Sequence, residues 1–211
     1  MTKIITALLF SILFVWGAEA QDQLVKDLDG DSIKDTVSIV SYIFDCDSTD
    51  ENHTKIICHL SSRQFREIQS EKIRIEYWTF FEIQFGLVST KNGFEFYVNY
   101  TRDGLKGQFR YNKQAKKIQL IGMSRYEIGD SDGDNKGKSS VNLLTDEHIG
   151  DWQMYDYNLD KLFKVPTIKT KMDFGTIYLE DFSDETLLDY SQRCQHVTNK
   201  RKMKLIRDNM Q

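Results

Sequence analysis

Hydrophobic and polar residues alternate along much of this chain, and a period of two is the pattern of β-strands with one buried face. The alternation is clearest where Phe94, Phe96 and Val98 are separated by more polar residues. An Asn-Gly pair lies just before Phe94, and such a pair accepts the positive φ angles of a tight hairpin turn. We therefore expect a hairpin whose first strand is Leu87 to Thr90.

Other segments rich in alternating or β-branched hydrophobic residues predict further strands. In chain order they are residues 36–44, 55–61, 72–85, 108–111, 117–128, 140–144, 152–157, 162–168 and 176–179. Short polar turns separate most of these segments, which favours antiparallel pairing of consecutive strands.

The hydrophobic pattern changes near the C-terminus. From Asp184 onward, hydrophobic residues recur at intervals of three and four, as on one face of a helix. Lysine and arginine residues gather toward the end of this segment, where cations interact favourably with the helix dipole. The sequence thus predicts a mainly β fold, an antiparallel meander or sandwich-like sheet with a C-terminal amphipathic helix lying on it.

Residues 1–20 have the features of a signal peptide. Lys3 precedes an apolar run from Ile4 to Trp16, and Ala18-Glu19-Ala20 fits a small-residue cleavage site. The run is shorter than the roughly 20 residues that span a bilayer as a helix, so we expect no stable membrane insertion after cleavage. These features predict a secreted or periplasmic protein. Residues 21–211 contain no linker-like stretch and are expected to form a single β-rich domain.

The most distinctive chemistry follows the predicted cleavage site. Asp27, Asp29, Asp31 and Asp35 place four carboxylates within nine residues. Oxygen ligands at this spacing, with a backbone carbonyl between them, suit a hard cation such as Ca²⁺. Carboxylates this close repel one another, and a divalent cation offsets that repulsion. We therefore predict calcium binding by residues 27–35, the calcium loop.

The calcium loop resembles that of FG-GAP and VCBS-type repeats, in which D-x-[DN]-x-D-G-x-x-D precedes a hydrophobic strand. The resemblance implies ligation by the four aspartates and by the carbonyl of Ile33. Ser32 departs from the family, which usually has Gly there, so Ser32 would either be strained by about 1 kcal/mol at a positive φ or force a slightly different turn. The chain is also similar in architecture to small periplasmic calcium-binding proteins related to lysozyme-inhibitor families, from which no inhibitory residue is carried over.

A second acidic segment repeats part of this spacing at Asp130, Asp132 and Asp134. Lys138 stands at the position of the fourth carboxylate, so a metal ion there would meet a fixed positive charge. The Gly, Asp, Ser and Asn residues of this segment are typical of hairpin loops. We favour a polar hairpin loop, with metal binding as the alternative.

Two interpretations of the cysteines stay open. Cys46 and Cys58 flank a polar stretch between two predicted strands, so a cross-strand disulfide is one of them. The other is that Cys46, Cys58 and Cys194 are buried thiols that behave as small hydrophobic residues.

The sequence contains no motif that specifies a reaction. The four histidines lack zinc-ligand spacing, and no nucleophile elbow or phosphate-binding loop is present. A net charge of -4 gives no reason to expect nucleic acid as a partner. We favour a non-enzymatic, calcium-stabilised binding module, with a role as an inhibitor or in envelope interactions. Its partner would be a protein or glycan that meets exposed rings of the aromatic segments 77–81 and 152–157.

The alternative function is a hydrolase acting on cell-envelope polymers. Its catalytic carboxylates would come from a dispersed acidic pair, either Asp156 with Asp160 or Glu180 with Asp181.

Overall fold

The computed structural model describes residues 23–42, 53–74 and 83–209, which form two antiparallel sheets and one long helix. The smaller sheet contains β1 (Gln23–Lys26), β2 (Asp35–Tyr42), β3 (His53–His59), β4 (Glu67–Gln69) and β5 (Ile73–Arg74). The larger sheet contains β6 (Gln84–Thr90), β7 (Gly93–Asn99), β8 (Asp103–Asn112), β9 (Lys117–Glu127), β10 (Gly137–Asn142), β11 (Glu147–Asp156), β12 (Lys161–Lys164) and β13 (Ile168–Lys171). Helix α1 spans Asp184–Asn209, and short 3-10 helices span Ser61–Arg63 and Leu179–Asp181. The predicted mainly β fold with a C-terminal helix is confirmed.

Consecutive strands pair with one another in both sheets. In the larger sheet the order runs from β12 to β6 without a crossover, and β13 pairs with β11 beside β12. In the smaller sheet β1 to β4 follow the same rule, and β5 pairs with β3. The predicted antiparallel meander is therefore confirmed. The predicted signal peptide, Cys46 and the aromatic segment 77–81 lie outside the described residues.

The turn between β6 and β7 lies one residue earlier than the Asn-Gly pair predicts. Lys91 and Asn92 form the two-residue loop, while Gly93 is already in β7 and pairs with Thr90. Gly93 does not have a positive φ. It is needed because a Cβ at this position would overlap the backbone carbonyl oxygen of Phe109 on the adjacent strand β8.

Two predicted strands near the C-terminus differ in the structure. The segment 162–168 is divided, because β12 ends at Lys164 and β13 begins at Ile168, with Pro166 between them. Proline has no N–H to donate to a strand ladder. The segment 176–179 forms only an isolated bridge between Tyr178 and Gln119 before the second 3-10 helix begins.

One hydrophobic cluster connects both sheets with α1. Residues from the smaller sheet such as Val37 and Ile56 belong to the same buried cluster as Phe96, Phe109 and Tyr190. Burial of large apolar side chains is the main favourable term in folding, so this cluster fixes the smaller sheet against the larger one. Among the described helices, none is long and apolar enough to cross a membrane.

Candidate metal centre

The calcium loop connects β1 to β2 at the end of the smaller sheet. Lys26 and Asp35 pair across the two strands, so the loop leaves and re-enters the sheet at adjacent positions. Its tight curvature requires two residues with positive φ, Gly30 at 87° and Ser32 at 72°. Of the two alternatives for Ser32, the structure has the positive φ.

Three of the four loop carboxylates converge on one point. One oxygen each from Asp27, Asp29 and Asp35 lie within 4.8 Å of one another. Asp35 has no exposed surface, and its two oxygens accept hydrogen bonds from the backbone N–H groups of Leu28 at 2.7 Å and Ser61 at 2.8 Å. These two bonds fix the position of the Asp35 carboxylate, which is the fully buried member of the cluster.

Asp27 and Asp29 are held by the backbone of the loop itself. Asp27 accepts the N–H groups of Gly30 at 2.7 Å and Ser32 at 3.0 Å. Asp29 accepts the N–H of Asp31 at 3.2 Å through Oδ1. Its Oδ2 is buried and has no hydrogen-bond partner within the described part of the chain. A buried carboxylate oxygen without a donor is costly, and a cation at the centre of the cluster would supply the missing partner.

Asp31 is not one of the three converging residues. Its oxygens accept hydrogen bonds from the N–H of Ile33 at 2.8 Å and from the hydroxyl of Ser61 at 2.7 Å. The Ser61 hydroxyl, followed by the Ile33 N–H, lowers the pKa of Asp31. A carboxylate oxygen has further lone pairs, so these bonds do not prevent Asp31 from joining a metal. Ligation by Asp31 and by the Ile33 carbonyl stays a prediction.

Ser61 is the contributor that the sequence did not reveal. It lies 30 residues beyond Asp31, yet its hydroxyl and its N–H bind two different loop carboxylates. Nothing in the spacing of the acidic residues pointed to Ser61, because the contact depends on how β3 pairs with β2.

The charge of the cluster affects a neighbouring thiol. Burial raises the pKa of Cys58 to about 12, and the negative charges of Asp35, Asp29 and Glu180 add to that shift. Cys58 is a free thiol in the hydrophobic core. The carboxylates of Asp29 and Asp35 thus interact with a buried group, and solvent ions screen such interactions poorly.

The donor set suits an alkaline-earth ion. All the converging atoms are hard oxygens, and Ca²⁺ takes six to eight oxygen ligands in flexible geometry. The three carboxylates and the further loop donors therefore fit calcium and leave coordination positions for water or for a ligand.

The second acidic segment forms the hairpin loop between β9 and β10. There, a cation from the protein occupies part of the space around the carboxylates. The ammonium of Lys202 on α1 donates to Asn135 Oδ1 at 2.6 Å and lies 3.5 Å from Asp134 Oδ1. Lys138, in contrast, lies in β10 opposite Asp151. The described residues of this loop do not form a second cluster of converging metal-binding groups.

The acidic pairs considered for hydrolysis have contacts within the protein. Asp156 Oδ1 accepts the N–H groups of residues 158 and 159 in the β11–β12 turn, and Asp160 accepts the hydroxyl of Tyr155. Glu180 forms an ion pair of 3.2 Å with Lys117, and its other oxygen is buried without a hydrogen-bond partner among the described residues. Asp181 is exposed.

Another buried group of reactive residue types lies between α1 and the larger sheet. Cys194 Sγ is 3.5 Å from His148 Nε2 and accepts a hydrogen bond of 3.5 Å from the hydroxyl of Ser139. Burial raises the pKa of Cys194 and lowers that of His148, so both side chains favour their neutral forms. Cys58 and Cys194 are both buried free thiols, in line with the second interpretation of the cysteines.

The aromatic segment 152–157 divides its rings between the core and the surface. Trp152 is buried, and its ring lies 5.1 Å from the guanidinium of Arg125. Tyr155 and Tyr157 point to the other side of β11, with their rings 5.1 Å apart in an edge-to-face arrangement. Tyr157 is 72% exposed. This segment therefore contributes both to the core and to the surface.

Comparisons with protein-family models, curated proteins and solved structures give no match. The functional argument therefore rests on the chemistry of the residues described above.

Proposed function

We propose that this protein is a secreted or periplasmic β-rich binding module whose N-terminal sheet is stabilised by Ca²⁺. The ion would be held by Asp27, Asp29 and Asp35, with Asp31 and the carbonyl of Ile33 as further ligands.

One observation carries the proposal. Asp29 is only 8% exposed, its Oδ2 has no hydrogen-bond partner among the described residues, and two other carboxylates approach it. Without a cation, folding would bury a partly unsatisfied charge beside like charges, and both effects are unfavourable. A calcium ion removes both penalties at once because it is an electrophilic partner for the free oxygen and a counter-charge for the cluster.

Calcium would stabilise more than the loop. Asp35 begins β2, and Ser61, which follows β3, binds both Asp31 and Asp35. An ion held by the calcium loop therefore ties the β1–β2 hairpin to the end of β3. A metal that binds only the folded chain stabilises it by mass action, so this sheet would gain stability as calcium rises. Extracellular modules often bind calcium with dissociation constants of about 10⁻⁴ to 10⁻³ M, which suits an exported protein.

The binding role is supported by exposed aromatic and apolar surface on the larger sheet. The rings of Tyr155 at the end of β11 and Tyr157 just after it contact each other, and Leu159 and Leu162 are exposed in the following turn and strand. Tyrosine gives large contact area with few rotatable bonds, which suits the recognition of a protein or glycan.

Thermal unfolding with and without calcium tests the proposal. We expect chelation to lower the melting temperature of the wild-type chain and to leave that of Asp29→Ala unchanged. Asp130→Ala is the matched control, because Asp130 belongs to the second acidic loop and its side chain, among the described residues, forms one exposed ion pair of 3.8 Å with Arg102. That variant should keep the full response to calcium. A wild-type melting temperature that does not change in excess chelator would refute the calcium site.

A further inference from the structure

A cavity of about 590 Å³ lies directly beside the calcium loop, and its lining is rich in positive charge. Asp27 and Asp29 line the part that belongs to the loop. Three cationic residues line the part that belongs to the larger sheet: Lys91, Arg110 and Lys113. A divalent cation held by Asp27, Asp29 and Asp35 would neutralise most of the loop's negative charge, and the three basic residues would then make the cavity net positive.

Beside the cavity, hydrogen bonds join the start of the calcium loop to the β6–β7 turn. The ammonium of Lys26, the residue before Asp27, donates to the backbone carbonyl of Thr90 and lies 3.2 Å from the carbonyl oxygen of Lys91. It also lies 3.4 Å from the hydroxyl of Ser89. The start of the calcium loop is thus fastened to the turn that carries Lys91.

The turn between β8 and β9 also lines the cavity, and hydrogen bonds of Asn112 hold the shape of this turn. Asn112 Oδ1 accepts the N–H groups of Gln114 and Ala115, both at 3.0 Å, and Asn112 Nδ2 donates to Gln119 at 2.7 Å. Lys113 lies within this turn. Its ammonium would be 3.3 Å from a Cβ placed on Gly30, so it lies against the backbone of the calcium loop.

The three cations form no direct ion pair in the described part of the chain, although Asp27 and Asp29 line the same cavity. Within the described residues, Lys91, Arg110 and Lys113 form no ion pair of 4.0 Å or less. Bound calcium would neutralise most of the negative charge of the loop carboxylates, so the three cations would lose their nearby counter-charges. Like charges around one cavity repel one another, and an anion between them converts that repulsion into attraction.

Calcium itself would leave room for such an anion. Three converging carboxylates do not fill the six to eight oxygen positions that Ca²⁺ takes. Phosphate oxygens are hard donors suited to these positions, and arginine binds phosphate through two parallel N–H bonds. A phosphate monoester is close to a dianion at about pH 7, which matches a divalent ion and several cations better than a single carboxylate does.

We propose that this cavity binds a small phosphate monoester in a calcium-dependent manner, with the phosphate between the metal and Lys91, Arg110 and Lys113. The inference rests on the proposed calcium site and adds the ligand class to it. The cavity volume accommodates a ligand the size of a sugar phosphate.

Calorimetric titration of the purified exported chain with glucose 6-phosphate tests the inference. The titration is run with calcium and after removal of calcium on a chelating resin, with glucose and inorganic phosphate as separate arms. We expect glucose 6-phosphate to bind only with calcium and glucose not to bind. Inorganic phosphate binding with calcium would also support the site, because the phosphate group is the recognised part.

Variants separate this site from the calcium site. Arg110→Gln and Lys113→Gln should each weaken glucose 6-phosphate binding by about tenfold, since each removes a charged hydrogen-bond donor. Both should keep the melting response to calcium. Lys138→Gln, an exposed lysine on β10 beside a different cavity, is the control and should bind normally.

The outcomes are distinguishable. If calcium raises the melting temperature but glucose 6-phosphate does not bind, the phosphate site is wrong and the calcium site stands. Binding that persists without calcium, or that is unchanged in Arg110→Gln and Lys113→Gln, also overturns the inference. If calcium has no effect on the melting temperature, the proposed calcium site is refuted, and with it the phosphate site that depends on bound calcium.

Discussion

Replacement of Asp29 by asparagine should stabilise the calcium-free chain and remove most of the stabilisation that calcium gives. The substitution keeps the shape of the side chain and the Oδ1 that accepts the N–H of Asp31 at 3.2 Å. It removes the negative charge from a side chain that is only 8% exposed and lies beside Asp27 and Asp35.

Without calcium, we expect the variant to be more stable than the wild type. Two charges no more than 4.8 Å apart repel by at least about 3.5 kcal/mol at an effective dielectric constant of about 20. The backbone N–H groups bound to Asp35 and the partial exposure of Asp27 reduce this term. Removing the charge, together with the unsatisfied Oδ2, should therefore stabilise the calcium-free chain by about 1 to 3 kcal/mol.

With calcium, the wild type should gain stability that the variant does not gain. At about 10 mM calcium, a dissociation constant of about 10⁻⁴ to 10⁻³ M stabilises the wild type by about 1.4 to 2.7 kcal/mol. For a chain of this size that corresponds to a rise in melting temperature of about 3 to 10 °C. Asp29→Asn should lack most of this rise.

Scanning calorimetry of both proteins in chelator and in calcium measures the four melting temperatures. Asp130→Asn is the matched control and should shift by less than about 0.5 kcal/mol in either buffer, because its carboxylate is exposed. If Asp29→Asn destabilises the chain equally in both buffers, Asp29 serves only to shape the loop and the electrostatic argument is wrong.

Two further predictions concern the larger sheet. Gly93→Ala should destabilise the fold by about 3 kcal/mol in chemical denaturation, since its Cβ would overlap the carbonyl of Phe109. Gly175→Ala, where a Cβ meets nothing within 4 Å and only the positive φ opposes it, should cost about 1 kcal/mol, and equal losses would contradict the steric argument. Burial lowers the pKa of His148 from 6.5, so the imidazole of His148 is protonated more readily in the unfolded chain than in the folded chain. Its contribution to stability should be complete above pH 6.5 and decline as the pH falls toward the folded-state pKa, and His148→Gln should flatten that part of the pH profile of unfolding.

Two differences between the predicted and the observed strands have identifiable causes, one distant in sequence and one local. The Asn-Gly pair marked the right hairpin, but Gly93 is required by the neighbouring strand β8 and not by the turn itself. Its role involves Phe109, sixteen positions away, and a turn motif contains no information on such a contact. Pro166 divided a segment that its hydrophobic residues alone favour as one strand.

The candidate site shows the same division between local and distant causes. The calcium loop was predictable because most of its hydrogen bonds join residues that are close in sequence, such as Asp27 with Gly30 and Asp29 with Asp31. Ser61 was not, because its contacts depend on the register of β3 against β2. The second acidic loop has similar spacing, yet its nearest cation is Lys202 from α1.

The sequence by itself determined the strand-rich fold class, the order of the hairpins, the C-terminal helix and the position of the acidic loop. These features follow from side-chain periodicity and from turn chemistry, which act over a few neighbouring residues. Tertiary structure alone decided which carboxylates converge, which oxygen of Asp29 is left without a partner, and which cations surround the cavity beside it. Those properties arise because packing of two sheets brings together side chains from distant parts of the chain, and burial then determines how strongly their charges interact.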